Sequence, residues 1–217
     1  MTPPPHRVAP SQPVPDFLYL ASQSPRRRQL LRQIGVRHEL LLPDAGEDTE
    51  ALEAALPAEP PADYVRRVTL AKLAAARARL LARGLPPAPV LCADTTVALG
   101  ERLFGKPADD EDAARMLQAL AGRTHQVLTA VAVLEAPHAA FEPACRVQVS
   151  EVRMRALSSD EIVRYVSSGE AQGKAGAYAI QSQAAAWIEH IQGSHSGIMG
   201  LPLFETAELL RGLGWAF

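Results

Sequence analysis

The chain has 217 residues, 47% hydrophobic and 21% charged, with a formal net charge of −2. A chain of this size and balance buries roughly 70% of its unfolded surface and needs no disulfide or metal to hold a core. That excludes a disordered, collagenous or fibrous chain, and the lack of a basic excess argues against a protein built to grip a nucleic-acid backbone.

Residues 1–16 hold six prolines and almost no apolar periodicity, which predicts a disordered leader ahead of a folded part over residues 17–217, one domain or two small lobes by its length. Phe17 to Ala21 reads as a strand. Ser24-Pro25 then opens a helix with Leu30, Leu31 and Ile34 on its apolar face, stopped by Gly35. Val36–Leu42 is a further predicted strand, and an acidic loop follows from Asp44 to Glu50. A long helix is expected from about Asp63 to Arg83. Val90–Leu99 is a strand run interrupted by Asp94-Thr95-Thr96, and Asp109 to Leu120 is a helix with acids in its first turn. Gln126–Leu134 and Arg146–Arg155 read as two strands of one sheet. Ser158 to Glu161 fits a capping box for a helix ending at Ser167, the tail from Lys174 mixes short strands and loops, and Pro202–Leu210 is a last helix. Strands and helices alternate, so the predicted class is α/β with a mixed sheet.

Two cysteines, Cys92 and Cys145, lie far apart without metal-ligand spacing, which suits a reducing compartment. No apolar run approaches the length of a membrane span and the N-terminus lacks a signal-peptide pattern, so the expected location is cytoplasmic. The basic residues are 19 Arg against 3 Lys. In a chain with that bias Lys72, Lys106 and Lys174 become candidates for places where a compact point charge serves and a planar fork does not.

Four segments carry candidate chemistry. Arg26, Arg27 and Arg28 occupy the first turn of a helix, where the dipole favours anions; bound phosphate resolves the conflict, with Ser22 and Ser24 adding hydroxyls. Successive helical residues diverge by about 100°, so at most two of the three arginines share one target. Asp94 ends an apolar strand and is followed by Thr95 and Thr96, a setting for a carboxylate that holds a divalent metal or polarises water, or for one that caps a turn. Gly100 to Pro107 nearly matches a P-loop, but Pro107 offers neither hydroxyl nor N–H, leaving Lys106 as a posted charge for a phosphate. In the acidic loop, Glu47 or Asp48 together with Asp94 would supply the one or two carboxylates that Mg²⁺ takes beside substrate phosphates. A solvated acidic loop is the competing reading there.

Taken in order, these segments resemble the Maf family of septum-formation-inhibitor-like nucleoside triphosphate pyrophosphatases. The resemblance runs from about Phe17 to Gly214. It is carried by Leu20 to Arg27, Tyr64-Val65-Arg66-Arg67 with Ala71-Lys72, Ala93 to Val97, Gly105-Lys106-Pro107 and Gly122 to Val127. Gly169-Glu170, Lys174 to Gln181 and Gly200 to Leu203 complete it. All three lysines fall inside these motifs. The resemblance implies a curved mixed sheet with flanking helices and two lobes around a deep cleft. It implies cleavage of a nucleoside triphosphate to monophosphate and pyrophosphate with a divalent cation (Mg, Mn or Co), in nucleotide-pool cleaning. Asp94 matches the family's proton acceptor. Ser24, Arg26, Arg27, Glu47, Lys72 and Lys106 match polar residues around phosphates and metal, with Glu47 and Asp94 on the metal. Arg27, Thr95 and Gln181 match positions tied to base choice, and Lys174 to Gln181 resembles the dTTP/UTP branch.

Two departures stand out. Gly46 replaces an acid before Glu47, leaving Asp44 or Asp48 as substitutes, and Ser182 replaces a glycine after Gln181, where a side chain bears on how the base packs. Whether Asp94 acts as base or as metal ligand stays open, as does the oligomeric state, a homodimer included. A second reading is a nucleotide-binding regulator of septum formation; membrane and nucleic-acid partners are not expected.

Overall fold

A computed structural model describes residues 16–48, 51–135, 137, 138 and 140–217. The proposed leader and Glu50 of the acidic loop thus lie outside the described residues, apart from Asp16. One seven-stranded mixed sheet runs through the molecule in the order β2 (His38–Leu40), β1 (Leu18–Leu20), β3 (Val90–Leu99), β5 (Thr124–Leu134), β6 (Ala144–Met154), β7 (Ile188–Gln192), with β4 (Arg102–Phe104) also on β3. β1 is parallel to β2 and β3, and the remaining pairings are antiparallel.

β3 and β5 are nearly continuous in buried residues because helices cover both faces of the central sheet. On one face α1 (Pro25–Gln33) buries Leu30 and Leu31 against Leu18, Leu20 and Leu91, joined by Leu209 and Leu210 of α6 (Leu203–Arg211). The opposite face carries α2 (Pro61–Ala82), whose Leu73, Ala76 and Leu80 meet Tyr19, Val90 and Cys92, while Tyr64, Val65 and Val68 meet Ala98, Leu128 and Ala130. At the far end α3 (Asp110–Leu120) and α4 (Ser159–Ser167) close a fourth cluster around Phe104, Val127, Val152 and Trp187. Both start on side-chain caps, Asp109 accepting from Asp112 N and Ser158 forming the expected capping box with Glu161. A four-residue helical turn, α5 (His195–Ile198), completes the helices. No helix among the described residues is long and apolar enough to cross a membrane.

Cys92 and Cys145 are both free. They flank Ala132 across β3, β5 and β6, two strand spacings apart, beyond the reach of a disulfide.

One detail of the sheet creates the site. Along one edge of β3, β1 pairs with Val90 and Leu91 and β4 with Val97 to Leu99. Between them, among the described residues, Cys92 to Thr96 meet no strand on that edge, while the other edge stays paired to β5 throughout. The polar run Asp94-Thr95-Thr96 therefore does not interrupt the strand. It continues it across an opening in the sheet.

Candidate active site

Strand periodicity sends Asp94 and Thr96 to one face of β3 and Thr95 and Val97 to the other. Both pairs line a single cavity of about 450 Å³ that wraps the open edge, a volume in the usual range for a small-molecule site.

On the α2 face, Asp94 is nearly buried and its Oδ1 accepts a hydrogen bond from Lys72 Nζ at 2.5 Å. The same ammonium donates to Glu53 Oε1 at 2.6 Å, and Lys106 Nζ reaches that oxygen at 3.0 Å. Lys72 thus bridges two carboxylates, and Glu53 bridges two lysines. Burial opposes the charge on Lys72, but Asp94 and Glu53 outweigh it, so its pKa stands above the ordinary lysine value. Burial likewise works against ionised Glu53, and bonds from Lys72 and Lys106 hold its pKa below the carboxylate range. Glu53 closes a short 3-10 turn, Ala51–Glu53. Its carbonyl accepts from Tyr64 Oη at 2.9 Å, and the next carbonyl, Ala54, accepts from Arg67 Nη2 at 2.9 Å. Two residues of the Tyr64 to Arg67 motif, one helical turn apart, thereby fasten the turn that carries Glu53.

On the other face, Arg27 sets the wall. Its Nε donates to Gly200 O at 2.7 Å, Nη1 to Ser22 Oγ at 3.1 Å and Nη2 to Thr95 Oγ1 at 3.4 Å. Thr129 Oγ1 donates to Gly197 O at 2.8 Å and lies 2.9 Å from Thr95 Oγ1. Each hydroxyl has one proton, so Thr95 donates to Thr129 and accepts from Arg27, which fixes its rotor. Gly200, at φ +112°, lets its loop lie against this group; a Cβ there would stand 3.6 Å from both Arg27 Nε and Thr95 Oγ1. Ser24 caps α1 by accepting from Arg27 N at 3.4 Å. Arg26 and Arg27 line the cavity and Arg28 does not, as the 100° helical step requires. Gln181 lies at the exposed rim.

The cavity therefore gathers Ser24, Arg26, Arg27, Lys72, Asp94, Thr95, Lys106 and Gln181 from distant parts of the chain. Glu47 is the exception, and the expectation that it stands with Asp94 is corrected. The Arg79 side chain is 4% exposed, and a buried guanidinium needs a carboxylate. Glu47 supplies it through a two-pronged bond, Nε to Oε1 at 2.8 Å and Nη2 to Oε2, while Arg79 Nη1 donates to Leu41 O at 3.0 Å. The bond to Arg79 holds the Glu47 pKa at about 2. Neither substitute enters the cavity: Asp44 pairs with Arg83 at 2.6 Å and Asp48 Oδ1 accepts from Ala51 N at 3.0 Å. The second carboxylate facing Asp94 is Glu53, which belongs to none of the motifs. Ser182 also turns away, donating to Ala179 O at 2.8 Å and meeting Tyr165 Oη at 2.9 Å.

A cavity of nucleotide size, walled by cations from several elements around a carboxylate pair, defines an α/β protein that takes a polyanion. The model of the Maf-like protein family matches residues 17–213, and the chain belongs to that family. It is 62% identical over 200 residues to a dTTP/UTP pyrophosphatase of Albidiferax ferrireducens, covering 92% of this chain and 98% of that one. It is 60% identical over 213 residues to a dTTP/UTP pyrophosphatase of Burkholderia pseudomallei, covering 98% and 100% respectively. Among solved structures, a HAM1 protein from Coxiella burnetii aligns at TM-score 0.48 and 17% identity over 90% of this chain and 98% of that one.

Proposed function

We propose that this chain hydrolyses dTTP and UTP to the monophosphate and pyrophosphate. The observation that carries the reading is the Asp94–Lys72–Glu53–Lys106 chain of ionic hydrogen bonds at the open edge of β3. It supplies an anchored carboxylate beside two ammonium groups, that of Lys72 largely shielded from water and that of Lys106 open to it. The relatives' activity supports the same reading.

A nucleoside triphosphate brings about four negative charges, and Arg26, Arg27, Lys72 and Lys106 neutralise and orient them. Among the described residues no group of three or more His, Cys, Asp or Glu gathers. A two-carboxylate donor set fits Mg²⁺ or Mn²⁺ shared with substrate phosphates, and Asp94 and Glu53 are the residues that would hold the cation. When bound, such a cation withdraws charge from phosphate oxygens and makes a coordinated water more acidic. Of the two carboxylates lining the cavity Asp94 is the one carried by a strand, and it accepts the proton as water attacks the α-phosphorus. The bond from that phosphorus to the α,β-bridging oxygen breaks and pyrophosphate leaves with its charge met by cations of the cleft. Lys72 holds Asp94 aimed through its hydrogen bond until substrate phosphates draw the ammonium away. Thr95, its rotor fixed by Arg27 and Thr129, and Gln181 at the rim are the groups that face the base.

The test is a panel of common and 5-methylated triphosphates with Mg²⁺ or Mn²⁺. Pyrophosphate released from dTTP and UTP, and lost in Asp94→Asn at unchanged thermal stability, supports the reading; orthophosphate as first product contradicts it.

A further inference from the structure

Lys174 is the one lysine to which the reaction above gives no task, yet all three lysines line the cavity. Lys72 and Lys106 reach it already paired with Glu53. Lys174 differs. Its Nζ donates to the backbone carbonyls of Glu170 and, at 3.4 Å, Gln172. The nearby Glu170 carboxylate accepts instead from Gln183 N at 3.1 Å. Across from Lys174 stands Arg26, half-buried and, among the described residues, paired with no carboxylate. Arg27, the next residue of the same wall, is held by hydroxyls and a carbonyl alone.

The cleft is thus polarised. Around Asp94 cations and carboxylates balance, whereas, among the described residues, no carboxylate hydrogen-bonds to Arg26, Arg27 or Lys174, and only Glu170 lies near enough to Lys174 to offset part of its charge. Their cost shows in the charges themselves. Burial, then repulsion from Arg27, lowers the Arg26 pKa; burial, then repulsion from Arg26, lowers that of Lys174 against the opposing pull of Glu170. A wall of like charges is a local conflict that a bound anion resolves. The position is also built into the backbone. Gly173 and Gly176, both at φ +68°, bracket Lys174, and Gly176 N donates to Gly105 O at 3.0 Å, tying its loop to the one that presents Lys106.

We propose that Lys174, with Arg26, seats the terminal phosphates of the nucleotide, and therefore the pyrophosphate product. The proposal deepens the pyrophosphatase reading and rests on it. A terminal phosphate rotates and carries the most charge, which suits an ammonium with three donors better than a fixed fork. When the α,β bond breaks, the charge that develops on the leaving group appears beside these two cations.

Titration calorimetry with inorganic pyrophosphate and with UMP, on the wild type and on Lys174→Gln, Lys174→Arg and Arg26→Gln, tests it. Losing a charged hydrogen bond predicts about tenfold or more weaker pyrophosphate binding in Lys174→Gln, with UMP affinity within about twofold of wild type. KM for UTP rises, and Lys174→Arg restores part of the loss. Arg26→Gln shows the same selectivity, so the test stands even if Lys174→Gln fails to fold. Unchanged pyrophosphate binding in Lys174→Gln, or equal losses for pyrophosphate and UMP in folded variants, overturns the proposal. A wild type that releases no pyrophosphate from UTP overturns the underlying reading instead, so the two failures are told apart.

Discussion

Glu47, expected beside Asp94 on a metal, and Glu53, outside the acidic loop, hold different positions. Glu47 neutralises the buried Arg79, and Glu53 faces the reaction. Breaking a buried ion pair costs about 3–5 kcal/mol. The Glu47 side chain is 32% exposed, so water recovers part of that and Glu47→Gln is expected to lose about 1–3 kcal/mol in a denaturant titration. Glu53→Gln is expected to keep its stability within about 1 kcal/mol, since the lysines it pairs with are more accessible than Arg79, while kcat/KM for UTP falls about tenfold or more. Equal stability losses in both variants contradict this division. The sequence announced Asp94, Lys72 and Lys106 because each interrupts a local pattern: an acid in an apolar strand, rare lysines among arginines. Glu53 interrupts nothing. It is one acid among several, and only the fastening by Tyr64 and Arg67 over a three-dimensional path singles it out.

At the scale of elements, β5 and the Lys174 loop support the cleft from below. His125 near the start of β5 is buried, its Nε2 lies 2.7 Å from Tyr178 Oη, and its Nδ1 has no partner among the described residues. Burial lowers its pKa from 6.5 to about 4. A group depressed in this way adds stability that is whole above the unfolded value and is lost as pH falls through the folded one. Unfolding free energy is therefore expected to drop between pH 6.5 and about 4, with a shallower slope in His125→Gln. Equal slopes contradict the assignment. Gly176 is the second support: at φ +68° a Cβ would also stand 3.0 Å from Val97 Cγ2. Gly176→Ala is expected to cost more than about 1 kcal/mol and to raise KM for UTP, since Val97 lines the cavity. Most elements were legible from periodicity and caps, α2, α3 and α4 most clearly. β4 was not, because Arg102 to Phe104 lies between glycines in a segment that reads as a phosphate loop. The continuity of β3 through Asp94-Thr95-Thr96 was not either, because its cause is the pairing to β5, distant in sequence.

For the whole molecule, the central fact is an opening in one sheet edge, between β1 and β4, into which both faces of β3 present side chains. Alternation of strands and helices reveals the α/β class, but the opening depends on where two separate strands stop. A ligand bridging it ties α1, α2 and the Lys174 loop together. At about 100 times its Kd, a non-hydrolysable UTP analogue stabilises the native state by about 2.7 kcal/mol. That corresponds to a Tm rise of roughly 5–10 °C for a chain of this size, absent with uridine alone. The most direct test of the account is hydrolysis of UTP in ¹⁸O-labelled water, followed by ³¹P NMR and mass analysis of the products. Attack at the α-phosphorus beside Asp94 predicts UMP carrying the label and unlabelled pyrophosphate. Label in pyrophosphate, or UDP with labelled orthophosphate, contradicts it.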